Sequence, residues 1–102
     1  MDNIYYNPEK FDLEVFDEVE TAGSYEFNTT VIWKDKEGKL YWLHDSGCSC
    51  PTPFDNYIKD DLNEINEETL YSFEEHLKNQ YNITNDQYNE CIKLVKKQLK
   101  QN

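Results

Sequence analysis

The chain has 102 residues, with ten lysines, no arginine and 21 acidic residues, for a formal net charge of −11. That length is one domain, and that charge disfavours direct binding of nucleic acid, leaving the basic last helix as the one element able to touch phosphate. The apolar fraction is only 37%, yet eight Tyr, five Phe and two Trp supply the bulk for a dense small core, so the composition argues for a folded domain over a disordered one.

No run of about 18 apolar residues occurs, so no membrane span is expected. The opening MDNIYYNPEK lacks the basic start and apolar stretch of a signal peptide, which points to a cytoplasm where thiols stay reduced. Three cysteines, an odd number, also speak against a disulfide framework.

Taken in chain order, residues 12–20 alternate. Leu13, Val15 and Val19 share one parity, broken by Asp17; Asp12, Glu14, Glu18 and Glu20 share the other, with Phe16 among them. This reads as a half-buried strand with one apolar and one acidic face. Thr21–Ala22–Gly23 is a turn. Residues 24–34 form a second strand that sets Tyr25, Phe27, Thr29, Val31 and Trp33 on one face. Asp35–Lys36–Glu37–Gly38 closes a hairpin with Gly38 free to take a positive φ, and Lys39–His44 is the third strand. Trp33 and Trp42 fall on neighbouring strands as candidate cross-strand partners or core anchors.

Residues 45–57, with two prolines and a glycine, read as loop, and 58–65 as a short helical turn. A helix is expected from about Asn66, with Glu67 and Glu68 in its first turn and an apolar stripe of Leu70, Phe73, Leu77 and Tyr81. A second helix starts after Thr84, where Thr84 and Gln87 match a capping box. Its apolar face is Tyr88, Cys91, Ile92, Val95 and Leu99, and Lys96, Lys97 and Lys100 suit its C-terminal dipole. The expected fold is α+β: a small three-stranded antiparallel meander, a Cys/Pro-rich loop and two C-terminal helices. It reads as a single domain over 1–102, with a β-rich part at 1–62 and a helical hairpin at 66–102.

Charge is the feature that points to function. Residues 1–75 hold 19 acids against 5 lysines, net −14, while residues 76–102 hold 2 acids against 5 lysines, net +3. Solubility asks for a magnitude of only about 2–8. Strand side chains two apart are separated by about 6.6 Å, and DNA carries one charge per about 3.4 Å of rise on each strand. A rigid row of carboxylates therefore imitates phosphates. Asp12, Glu14, Glu18 and Glu20 form one such row, and Asp60, Asp61, Glu64, Glu67 and Glu68 a second. The ordinary alternative is a solvated face of an acidic protein.

The segment His44–Asp45–Ser46–Gly47–Cys48–Ser49–Cys50–Pro51 gathers an imidazole and two thiols. Zinc takes those ligands, and His44, Cys48 and Cys50 are the metal candidates, but C-x-C is not the usual knuckle spacing and a fourth ligand has to come from Cys91, His76 or Asp45. A nucleophilic cysteine beside His44 is a further alternative. The plainer reading is a tight loop in which Asp45 and Ser46 cap backbone amides and the thiols pack as small apolar groups. His76 reads as a surface or boundary residue and Cys91 as core. No phosphate-binding glycine motif is present.

Several stretches carry a resemblance. Asn7–Val15 (NPEKFDLEV), Gly23–Phe27 (GSYEF), Gly38–Trp42 (GKLYW) and Asp45–Phe54 (DSGCSCPTPF) are similar to an uncharacterised family of small tailed-phage proteins, over about residues 5–62. The resemblance implies a phage or prophage origin and no catalytic residue. Small acidic phage proteins, anti-CRISPRs among them, match this chain in size and charge. The expectation is a non-enzymatic, cofactor-free inhibitor in the host cytoplasm. Its partner is a basic host protein, foremost a CRISPR effector nuclease, whose DNA- or RNA-binding surface it blocks through the two acidic rows. The alternatives are a phage accessory protein with a structural or zinc-binding Cys loop, and a thiol-dependent enzyme.

Overall fold

A computed structural model describes residues 2–23, 25–48 and 53–101, with Cys48 described by its backbone. The β-strands are β1 (Leu13–Glu20), β2 (Glu26–Asp35), β3 (Leu40–Cys48) and β4 (Asn63–Ile65), and the helices are α1 (Leu70–Lys78) and α2 (Asn85–Gln101). The sheet is antiparallel and four-stranded, in the order β1-β2-β3-β4. The α+β class holds, but the three-stranded sheet expected from sequence is corrected.

The added strand comes from the segment read as a helical turn. Only Lys59–Asp61 is helical, as a 3₁₀ turn; Leu62 then turns extended, and Asn63, Glu64 and Ile65 pair with Trp42, Tyr41 and Leu40. Three residues are too few for alternation to register, and Asn and Glu are poor strand formers. What recruits them is the free edge of β3 and the burial of Ile65, 2% exposed. The expected loop is shortened from its other end. β3 continues through Asp45, Ser46, Gly47 and Cys48, which pair with Thr29, Asn28, Phe27 and Glu26.

β1 departs from simple alternation. Val15 pairs with Trp33 but Asp17 with Ile32, leaving Phe16 as an extra residue in a β-bulge. Since directly opposed residues share a face, the bulge reverses the parity. Leu13, Val15, Glu18 and Glu20 fall on the face of Val31 and Trp33; Glu14, Asp17 and Val19 fall on the face of Lys34, Ile32 and Thr30. The acidic row read from the sequence is thereby split between two faces.

Both faces are covered. On one, α1 and α2 bury Phe73, Leu77, Cys91, Ile92 and Val95 against Val19, Ile32, Leu40 and Ile65. On the other, Ile4 and Phe54 close over Leu13, Val31, Trp33 and Leu43. Trp33 and Trp42 are not cross-strand partners: Trp33 opposes Tyr41 and Trp42 opposes Ile32, so the two indoles lie on opposite faces. Trp33 donates its ring N–H to the Ile4 carbonyl at 3.0 Å, which satisfies the one polar atom of the largest buried side chain.

The helices follow their periodicity. Thr84 and Gln87 exchange the two capping-box hydrogen bonds, each 3.0 Å. α1 starts later than expected. Asn66 folds a turn, its side chain accepting from the amides of Glu68 and Thr69, and Thr69 is the N-cap. α1 also stops at Lys78, and the chain reverses through Asn82 at φ 64, which leaves Tyr81 off the helix and 79% exposed. At the β2–β3 hairpin, Gly38 takes φ 87 as its turn requires. Among the described residues no helix is long and apolar enough to cross a membrane.

Candidate functional site

The two acidic rows occupy the two edges of the sheet. β1 is one edge and β4 the other, about 14 Å apart across three inter-strand spacings. They do not join in one cleft. Charged side chains on an exposed edge also discourage another strand from pairing there.

The rows differ in how far they are engaged. In the first, Asp12 sits in the left-handed region at φ 59 and pairs with Lys36 at 3.1 Å, and Glu14 pairs with Lys34 at 3.3 Å. Glu18 accepts from the Tyr5 hydroxyl at 2.7 Å. Glu20 fastens the β1–β2 connection, accepting from Ala22 N–H (3.0 Å), Asn28 N–H (2.7 Å) and Thr29 Oγ1 (2.5 Å). Burial pushes the Glu20 pKa upward, but the hydrogen bonds from Thr29, Ala22 and Asn28 outweigh it and hold the carboxyl below its ordinary value. In the second row, Asp60, Asp61, Glu64, Glu67 and Glu68 are all exposed. Asp61 caps the Ile58 amide at 2.9 Å and Glu64 accepts from Asn66 at 3.3 Å. The ion pairs among the described residues involve none of these five.

Of the metal candidates His44, Cys48 and Cys50, only the His44 side chain is among the described residues. His44 spends both ring nitrogens inside the protein, Nδ1 on Thr30 Oγ1 at 3.0 Å and Nε2 on Asn28 Oδ1 at 2.8 Å. The Cys48 side chain and Cys50 lie outside the described residues. Among the described residues no group of three His, Cys, Asp or Glu is placed to hold a metal ion. Asp45 does cap backbone amides, accepting from Ser46 and from Phe54, each at 2.9 Å. Cys91 is core, 1% exposed, and burial foremost, with Asp17 adding to it, pushes its thiol pKa far up. It should resist alkylation at neutral pH in the native protein and react once denaturant is added. Fast native labelling at Cys91, read by peptide mapping, would contradict this burial.

One constellation was not legible in the sequence. Thr30, 1% exposed, places its hydroxyl between two imidazoles, His44 Nδ1 at 3.0 Å and His76 Nε2 at 2.9 Å. The partners set the proton positions. Asn28 Oδ1 can only accept, so His44 carries its proton on Nε2 and takes the Thr30 hydroxyl proton on Nδ1. Thr30 then accepts from His76 Nε2–H, which leaves His76 Nδ1 bare toward the Gln80 amide at 3.3 Å. Gln80 in turn accepts from Asn28 at 3.1 Å. The bonds close into a ring of five side chains from β2, β3, α1 and the turn after it. Trp42 lies against His76 with centroids 4.3 Å apart. Both imidazoles have lowered pKa values: burial acts first in each, with the neighbouring His44 adding to it at His76, which falls to about 4. The ring is a clamp between sheet and helix; its hydroxyl is too enclosed to meet a substrate. His76 is thus half-buried, a boundary residue as one of its two readings has it, and its role is structural. A period-two strand pattern and a period-3.6 helix pattern do not show which polar positions will face each other.

Beside the ring, a groove of about 380 Å³ is lined by Thr21, Gly23, Asn28, Gly47, Tyr81 and Asn82 among others. Glu26 and Ser46 also line it.

A family model described as a domain of unknown function, DUF7574, matches residues 2–102, both helices included. The chain belongs to that family. No curated protein and no solved structure matches it.

Proposed function

We propose that this protein is a non-enzymatic inhibitor that docks its β4 edge on the basic, nucleic-acid-binding surface of another protein. The observation that carries the reading is the row Asp60, Asp61, Glu64, Glu67 and Glu68, all exposed, none ion-paired among the described residues, and spread over a 3₁₀ turn, a strand and a helix entry that hold them in place. Carboxylates held on a rigid edge stand in for phosphates and are steered to a basic surface by the protein's net charge. The β1 row contributes less, because Asp12 and Glu14 are already neutralised by Lys36 and Lys34. In its narrow form the protein is a phage or prophage product acting in the host cytoplasm, and its target is a defence nuclease, foremost a CRISPR effector. The similarity of residues 5–62 to tailed-phage proteins supports that form.

The test is capture of the tagged protein's partner from lysate of a bacterium that carries such a nuclease. A basic nuclease should be retained at low salt and released at high salt. Reversing Asp60, Asp61, Glu64, Glu67 and Glu68 to Lys should reduce its capture at least about tenfold, whereas reversing Asp12 and Glu14 should change it little. Equal capture by the reversed β4 edge would sink the proposal.

A further inference from the structure

The outer face of the helical layer is charged in two opposed stripes. α1 and α2 both press their apolar sides on the same face of the sheet, so their other sides turn to solvent together. On α1 and its entry that side presents exposed Glu67, Glu68 and Tyr71 (70% exposed) and half-buried Glu74 and Glu75, with exposed Lys78 the cation at its end. On α2 it presents Lys93, Lys96, Lys97 and Lys100, at i, i+3, i+4 and i+7, lining a shallow groove with Ile92. The stripes scarcely neutralise each other within the chain: Lys96 to Glu74, at 3.9 Å, is the cross-helix ion pair among the described residues. They lie side by side: Lys96 reaches Glu74, and Glu67 at the α1 entry shares a groove with Leu99 of α2 and with Lys39.

We propose that this face binds a second copy of the chain, the lysine stripe of α2 on each protomer meeting the acidic stripe of α1 on the other about a two-fold axis. Paired stripes of opposite sign make the face self-complementary, as an isologous contact requires: what one protomer offers at one stripe it receives at the other. A polyanion would meet only the lysines and be repelled by the adjoining glutamates. The overall negative charge opposes pairing at very low salt, but at about 0.15 M the screening length is about 8 Å, so the apposed stripes dominate. Tyr71 supplies an aromatic anchor within the face.

Glu67 and Glu68 belong both to this face and to the docking edge proposed above, so a second copy and the target compete for them; sedimentation velocity of the purified full chain tests the dimer without any target protein, so the two outcomes are separable. At about 0.15 M salt a concentration-dependent dimer is expected, reverting to monomer at about 1 M. Replacing Lys93, Lys97 and Lys100 by Glu should weaken the dimer at least about tenfold. Mixing that variant with Glu67→Lys/Glu68→Lys should restore a heterodimer, which also shows that both variants are folded. A monomer at every concentration overturns the proposal, as does a dimer indifferent to salt, or a mixture that fails to pair. Retention on heparin through the same lysines, without self-association, would assign the stripe to polyanions and equally overturn it.

Discussion

Replacing Phe54 by Ala is expected to cost about 3–5 kcal/mol, the range for removing a large aromatic from a packed core. A domain of this size has about 5–15 kcal/mol in hand, and each kcal/mol shifts its melting point by roughly 4–8 °C, so the variant should melt at least about 12 °C lower. The effect is large because Phe54 closes the non-helical face of the sheet. It is fully buried, its ring edge meets Trp33 at 5.5 Å between centroids, and Tyr5 and Tyr57 flank it at 5.7 Å each. Its backbone sits at φ 65, in the left-handed region, held by the bond from its amide to Asp45. The Asn3 side chain ties the N-terminal segment to the same place through Pro53 O (3.0 Å) and Asp55 Oδ1 (3.1 Å). Phe54→Leu, which refills part of the space, should recover part of the loss. Thermal unfolding by circular dichroism reads both. A shift below about 2 °C for the Ala variant would mean that the loop does not pack on Trp33.

Acid should weaken the protein through His76. The folded-state pKa is about 4 against 6.5 for the free side chain, so the native state binds the proton less well than the unfolded one. The contribution is complete above about pH 6.5 and is lost as pH falls toward 4, with an upper bound of about 3 kcal/mol. The structural cause is specific: a proton on His76 Nδ1 would point its N–H at the Gln80 amide, itself a donor. His44, also lowered, adds in the same direction, offset in part by Asp45 and Glu20. Carboxylates with lowered values, Glu20 and Asp35, lose their contribution at lower pH still. Relief of acidic repulsion acts the other way. Comparison with His76→Gln, which keeps a donor for Thr30 and cannot titrate, cancels those terms. Urea unfolding between about pH 7 and 4.5 should show the wild type losing about 2 kcal/mol more than the variant. Parallel pH profiles would remove His76 from the acid response.

Much of the scaffold was legible in the chain. Period-two and period-3.6 patterns are local properties, and so are the capping box at Thr84–Gln87, the Gly38 hairpin and the core position of Cys91. The acidic block at 60–68 was equally visible, because composition alone reveals it.

What the tertiary structure decided are relations between distant segments. β4 exists because β3 offers an edge and Ile65 a place to bury, neither of which is encoded within its three residues. The bulge at Phe16 divides one apparent acidic row between two faces, and the strand order sends the two acidic blocks to opposite edges. Burial of the second sheet face depends on Ile4 and Phe54, fifty positions apart in a chain where each looks like an ordinary loop residue. The ring through Asn28, Thr30, His44, His76 and Gln80 needs strands and helix to meet at one depth. Periodicity determines which side of an element is turned inward; only packing determines what that side meets.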